Sequence, residues 1–360
     1  HGIKLVLGYT VEGFKEKDNG VEVLLKDNPS LQADMVVLAI GVTPDTVLAK
    51  EAGLELGIKE SIVVNDRMET SVPDIYAAGD AVQVKHYVTG NDALISLAGP
   101  ANKQGRIIAD NICGGDSRYL GSQGSSVIKV FDMTAATTGI NETNAKKSGL
   151  EVDTVILSPM SHAGYYPGGK VMTMKVVFEK ETYRLLGAQI IGYEGVDKRI
   201  DVLATAIHAG LKATQLKDLD LAYAPPYSSA KDPVNMAGFM IDNIAKGTLK
   251  QWHLEDMDKI SRDKSVVLLD VRTVGEFNRG HMDGFKNIPV DELRERINEI
   301  EKGKPVYLIC QSGLRSYIAS RILEGNGYET YNFSGGFRFY DAVVNDRALI
   351  ERAYACGMDY

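Results

Sequence analysis

Tyr307-Leu308-Ile309-Cys310-Gln311-Ser312-Gly313-Leu314-Arg315-Ser316 decides the reading of this chain. The apolar residues up to Ile309 read as a buried strand, and the small and polar residues after Cys310 read as a short loop that opens a helix near Arg315. A thiol at such a corner sits at a helix N-terminus. A tight loop there turns successive backbone N–H groups inward as an anion-binding cradle, and the helix dipole and a nearby guanidinium both favour thiolate over thiol. Cys310 therefore reads as a sulfur nucleophile, with Gln311, Ser312, Gly313, Leu314 and Ser316 as the loop that holds it and Arg315 as its cation. A persulfide formed on Cys310 would be anionic and held by the same donors. The opposing reading is a buried cysteine that merely ends a strand.

Outward from this corner, residues 255–360 read as one α/β unit. Strands over 266–270 and 306–310 alternate with helices near 290–300 and 315–324, the pattern of a parallel sheet. Around the Cys310 loop in sequence stand Leu268-Leu269-Asp270-Val271-Arg272, Glu276-Phe277, Gly280-His281-Met282 and Phe333-Ser334-Gly335-Gly336-Phe337. With Cys310 through Arg315, these segments resemble the rhodanese family, Met282 standing where that family usually has isoleucine. The resemblance implies a sulfur-transfer domain. Asp270 and Arg272 are expected to brace the loop by ion pairing rather than to react.

Toward the N-terminus the pattern changes. Residues 3–38 read as short strands, with Asp18-Asn19-Gly20 as a hairpin turn, and the apolar run Met35-Val36-Val37-Leu38-Ala39-Ile40 predicts a buried parallel strand. Ile75-Tyr76-Ala77-Ala78-Gly79-Asp80 predicts a second short buried strand. Gly79 at its end allows close approach of a ligand, and the Asp80 carboxylate is suited to sugar-alcohol hydroxyls. A helix from Gly99-Pro100 through Ile112 follows, its positive end suited to a ring that becomes anionic on reduction. Past a small-residue linker at 121–126, strands over 127–131, 154–157, 171–178 and 185–191 with helices near 200–208 and 233–244 read as an antiparallel α+β unit.

Ala39-Ile40-Gly41-Val42-Thr43-Pro44, Gly79-Asp80, Leu97 through Arg106, Leu186 through Gly192 and Asp197-Lys198-Arg199-Ile200-Asp201 extend the match over residues 1–250. That stretch resembles the two-dinucleotide-binding flavoprotein disulfide reductases, most closely the coenzyme A disulfide reductases and their NADH oxidase relatives, with Ser96 where the family has proline. The implied fold class is multidomain α/β and α+β. Residues 1–44 would end an NAD(P)H-binding domain, 45–124 would be the second half of a Rossmann-like FAD-binding domain, 125–248 a dimerisation domain and 255–360 the rhodanese domain. The implied cofactors are FAD and NAD(P)H, with coenzyme A as substrate or bound thiol. Gly79, Asp80, Leu97, Ala98 and Asn102 would hold the flavin. The resemblance also implies a homodimer in which Tyr165 and Tyr223 reach the partner subunit's thiol site to protonate or orient a leaving thiolate. Interface packing is the competing role for Tyr223, and packing is the expected role of Tyr166 and Tyr227.

The family's two Gly-x-Gly-x-x-Gly fingerprints and its flavin-adjacent redox cysteine do not occur in the sequence. The opening residues, from His1 to Thr10, read as the interior of a fold, so these features are expected upstream. Among the other thiols, Cys113 is expected to be a small buried hydrophobe. Cys356 reads as a bystander, with resolution of a persulfide as the alternative.

Composition narrows the partners. A 360-residue chain with a net charge of -8 has no basic stripe for nucleic acid, and no apolar run approaches the ~20 residues that span a bilayer. Three cysteines far apart argue against a disulfide framework and for a reducing compartment, which makes a cytoplasmic protein the expectation. Histidine spacing predicts no metal. The function expected is FAD-dependent, NAD(P)H-driven reduction of coenzyme A disulfide, coenzyme A persulfide or polysulfide, with sulfane sulfur carried on Cys310. The alternatives are an NADH oxidase or peroxidase with an accessory sulfurtransferase, and a non-redox scaffold that carries a sulfur-relay domain.

Overall fold

The computed structural model describes the backbone of residues 3–355 and the side chains of residues 3–346. The chain divides into two compact units, residues 1–43 with 341–360, and residues 44–340. In the first, strands β1 (Val11–Lys17), β2 (Gly20–Leu25) and β3 (Asn28–Ala33) form an antiparallel meander. Lys17 pairs with Gly20 across the expected Asp18-Asn19 turn. Residues 35–40 are not the expected strand: they are open coil, and Ile40 is 88% exposed. A parallel strand satisfies its backbone only through neighbouring strands, and none of the described strands lies beside this one.

In the second unit, residues 44–124 contain the short helix α1 (Val47–Glu51), the hairpin β4 (Val84–Lys85) and β5 (Asp92–Ala93), and helix α2 (Ala98–Ile112). The strand expected at 75–80 is also absent. Asp74 adopts a positive φ of 63°, and the turn folds the chain back so that Tyr76 pairs singly with Glu69. The segment then ends in a single 3₁₀ turn, Gly79–Ala81.

The antiparallel α+β layer is as expected in type. Strands β6 (Ser126–Val130), β7 (Met133–Gly139), β8 (Val152–Leu157), β9 (Met172–Glu179) and β10 (Leu185–Gly192) assemble in the order β6-β7-β10-β9-β8. Helix α3 (Glu142–Lys147) bridges β7 and β8, while α4 (Val196–His208) and α5 (Pro233–Ala245) cover one face. Leu186, Ile190, Leu203 and Ile241 are fully buried there, each worth ~1.5–3 kcal/mol relative to exposure.

The last layer is a parallel sheet in the order β11-β15-β14-β12-β13, from β11 (Gln251–Trp252), β12 (Val267–Asp270), β13 (Lys286–Asn287), β14 (Val306–Ile309) and β15 (Thr330–Phe333). Helices α6 (Met257–Ile260), α7 (Val274–Arg279), α8 (Leu314–Glu324) and α9 (Gly336–Ala355) connect or follow the strands. The helix expected at 290–300 is a run of turns with one 3₁₀ turn at Ile297–Glu299. Its apolar spacing still serves the core, because Leu293 and Ile300 are buried from successive turns as they would be from a helix.

Among the described residues no helix is long and apolar enough to cross a membrane.

Candidate functional site

β14 is the central strand of its sheet and is apolar on both faces, so its C-terminal end delivers Cys310 to the edge where open α/β sheets bind ligands. Cys310 is buried, 1% exposed. The loop closes at Gly313, whose φ of +98° lies in the left-handed region and starts α8. Gly313 N–H donates to Cys310 Sγ at 3.1 Å. The Ser316 hydroxyl, one turn into α8, has a single hydrogen to give, either to Sγ at 3.2 Å or to the Gly313 carbonyl at 3.1 Å. Of the backbone cradle expected around the sulfur, Gly313 supplies the N–H that reaches it, and a side chain supplies the second donor.

A second layer holds this loop. At the start of α9, Phe337 N–H donates to the Cys310 carbonyl at 2.8 Å and Arg338 N–H to the Gln311 carbonyl at 3.2 Å. Gly336, at φ +68°, lies so close that a Cβ there would come within 2.7 Å of the backbone of Gln311 and Ser312. Asn332 on β15 donates to the Gly313 carbonyl at 3.1 Å. Asp270 and Arg272 form a buried pair at 2.7 Å, and Arg272 also donates to the Gly280 carbonyl at 2.7 Å and stacks 3.8 Å from the Phe337 ring. Gln311 Oε1 accepts from the same guanidinium at 3.4 Å. Sequence reasoning missed Asn332, and it knew Gly336 only as a turn; neither contact has a local signal.

Arg315 does not stand free beside the sulfur. Its two terminal nitrogens each donate to Glu276 at 2.7 Å, and the same carboxylate accepts from the Thr273 N–H and hydroxyl in the capping box that starts α7. Arg315 first of all, against an opposing desolvation, then Thr273, hold the Glu276 carboxyl down to about 2. Because the folded value is depressed, the clamp's stabilisation is present above the ordinary carboxylate value of ~4.3 and fades as pH falls toward 2. The stability difference between the natural protein and Glu276→Gln, read by denaturant unfolding, is therefore expected to be full at pH 6 and to shrink as the medium is acidified below pH 4. A difference that stays constant with pH would contradict the clamp.

The aromatic loops of the antiparallel layer do converge. Tyr165 and Tyr223 share a hydrogen bond between hydroxyls at 2.7 Å, and Ala163 N–H donates to the Ser228 carbonyl at 3.0 Å. Underneath, buried Arg199 pairs with Asp232 at 2.9 Å and donates to the Ser161 carbonyl at 2.9 Å, while Asp232 accepts from Ser228 at 2.7 Å and caps α5. A cavity of about 560 Å³ opens here, lined by His162, Lys198, Tyr223 and Tyr227 among others. The hydrogen bond with Tyr165, with some desolvation, pushes the Tyr223 phenol above its ordinary value, so it is a proton-bearing donor near neutral pH.

At the third location Gly79 takes a φ of +83°, and its N–H donates at 2.7 Å to the buried Gln104 of α2. Gln104 thus ties the Gly79-Asp80 corner to α2. A Cβ built on Gly79 would meet nothing closer than Ala101 at 4.0 Å, and Asp80 is exposed. Leu97 starts α2 without a side-chain cap, leaving the first-turn N–H groups of Ala98 and Gly99 without partners among the described residues. Asn102 turns back to the Ala98 carbonyl at 2.9 Å. An open corner with a carboxylate and an uncapped helix start fits a polyol and an anionic ring. Cys113 is a correction: it caps the C-terminal end of α2 and is exposed, because the helix's buried face is built by Gln104 and Asn111. Cys356 lies outside the described residues.

Residues 1–105 match the pyridine nucleotide-disulphide oxidoreductase model, 125–233 the dimerisation domain of the same family, and 253–342 the rhodanese-like domain. The chain belongs to the pyridine nucleotide-disulphide oxidoreductases and carries a rhodanese-like domain at its C-terminal end. Among solved structures it is similar to the reduced CoADR-RHD of Bacillus anthracis, with 46% identity and a TM-score of 0.90 over 94% of this chain and 60% of that one. It is also similar to the NAD-dependent persulfide reductase of A. fulgidus, with 40% identity and a TM-score of 0.84 over 92% of this chain and 61% of that one. The NAD(P)H sulfur oxidoreductase (CoA-dependent) of Pyrococcus furiosus is 39% identical over 59% of this chain and 48% of its own length. The chain spans about half the length of the curated relatives it matches.

Proposed function

We propose that this chain is part of an FAD-dependent NAD(P)H:disulfide or persulfide reductase in which Cys310 carries sulfane sulfur. The observation that carries the reading is the buried thiol at the end of β14, with Gly313 N–H and the Ser316 hydroxyl directed at its sulfur, in a chain whose other residues match reductase models.

Cys310 attacks as the thiolate. The Cys310 Sγ–S bond forms, the donor's S–S bond breaks, and the donor's inner sulfur leaves as thiolate with the electron pair. Gly313 and Ser316 hold the charge on either side of the step. Asp270 and Arg272 keep the loop in place. Gly79, Asp80, Leu97, Ala98 and Asn102 would hold FAD, with the Asp80 carboxylate on the ribityl hydroxyls and the start of α2 at the ring. The chemistry FAD supplies when bound is passage of two electrons from NAD(P)H to a disulfide or persulfide. Residues 125–248 form the homodimer contact, and the paired phenols of Tyr165 and Tyr223 orient or protonate the thiolate that leaves, coenzyme A being the favoured thiol.

The test is NADH-dependent sulfide release from coenzyme A persulfide by the intact protein and its Cys310→Ser variant. Sulfide release is expected to collapse by ~10³-fold or more, as when a covalent nucleophile is removed, while coenzyme A disulfide reduction survives. Unchanged release would take Cys310 off the reductive path and leave a reductase with an independent sulfurtransferase.

A further inference from the structure

Two guanidiniums at the Cys310 loop are already paired with carboxylates. Arg272 is committed to Asp270. Arg315 is committed to Glu276 through two parallel hydrogen bonds at 2.7 Å, the geometry in which a guanidinium has least left for a third party. Thr273 fixes that carboxylate from its other side through its N–H at 3.0 Å and its hydroxyl at 2.8 Å. Beside these pairs, Leu314 presents an apolar side chain that is 65% exposed. Arg338 touches the loop through its backbone N–H.

Such a loop suits one kind of sulfur donor better than another. Resting on the reading of Cys310 as a sulfur nucleophile, we propose that Glu276 is a positioning residue that sets donor specificity: by holding Arg315 it disfavours small inorganic dianions such as thiosulfate and leaves Cys310 to organic persulfides. With an organic persulfide in its R–S–SH form, the thiolate attacks the outer sulfur, R–S⁻ departs, and the proton on the transferred sulfur then passes to that thiolate, leaving an anionic persulfide on Cys310. One negative charge is present throughout. With thiosulfate, the thiolate meets a dianion and sulfite leaves as a dianion, so three negative charges gather where the sulfur has one N–H and one hydroxyl. That reaction needs an uncommitted guanidinium at the mouth. A larger donor keeps its anionic groups away from the sulfur and rests its carbon chain on the exposed Leu314.

The experiment compares kcat/KM for thiosulfate and for glutathione persulfide in the intact protein, Glu276→Gln and Glu276→Asp, with Trp252 fluorescence confirming a native rhodanese-like domain. The natural protein is expected to favour the persulfide. Glu276→Gln is expected to raise kcat/KM for thiosulfate ~10-fold or more, mainly through KM, as befits one freed charge-assisted contact, and Glu276→Asp to restore the preference. A parallel fall for both donors would make Glu276 a structural prop and overturn the proposal, as would a natural protein that uses thiosulfate as readily as the persulfide. Transfer from both donors surviving in Cys310→Ser would instead overturn the nucleophile reading on which the proposal rests.

Discussion

Asp270→Ala is expected to lower the stability of the rhodanese-like domain by ~3–5 kcal/mol, the cost of leaving one partner of a buried ion pair uncompensated. Both side chains are essentially inaccessible to solvent, and the Asp270 carboxylate takes the Arg272 N–H, Nε and Nη2 together. Among the described residues the guanidinium then keeps only the Gly280 carbonyl, the Phe337 ring and a long contact to Gln311. The measurement is urea unfolding followed by fluorescence of Trp252. It is the only tryptophan of the chain and packs on Phe333 at a ring distance of 4.4 Å, so the signal reports this domain. Asp270→Asn keeps the shape and part of the hydrogen bonding, and is expected to fall between. If Asp270→Ala unfolded at the same urea concentration as the natural protein, the bracing role of the pair would be lost.

Gly336→Ala is expected to cut persulfide formation on Cys310 by ~10²-fold while leaving the domain folded, because a displacement of about an ångström in a reacting group costs that much. The added Cβ would stand 2.7 Å from the Gln311 carbonyl oxygen and from Ser312 N and Cα, which are backbone atoms and cannot swing aside. The left-handed φ of +68° adds strain of ~1–3 kcal/mol. The loop has to shift, and with it Gly313 N–H and the Cys310 carbonyl held by Phe337. Single-turnover labelling of Cys310 with a persulfide donor, at matched Trp252 fluorescence, reads the effect. Normal labelling would mean that the loop tolerates the close approach.

These two residues mark the boundary between what is legible in sequence and what is not. Cys310 with Gly313 and Ser316 is local: strand, thiol, turn and helix start follow within seven residues, and hydrogen bonds of short sequence separation complete the site. The Asp18-Asn19 hairpin, α2 and most of the antiparallel layer were legible for the same reason, since turn chemistry and periodicity act between near neighbours. The strands expected at 35–40 and 75–80 failed because a buried apolar run states only that it wants partners, and the partners belong to other segments.

By itself, the sequence determined the multidomain α/β and α+β class and marked the Cys310 loop, the Gly79-Asp80 corner and the two tyrosine loops as candidate sites. Only the tertiary structure decided that Arg315 is held by Glu276, 39 residues away, and that Tyr165 meets Tyr223 across 58 residues. It also decided that Gly336 presses on the loop and that Ser334 takes the Ile156 N–H of β8 across 178 residues. Charge pairing and steric contact depend on distance in space, and no periodicity along a chain encodes which distant carboxylate will close on a given guanidinium.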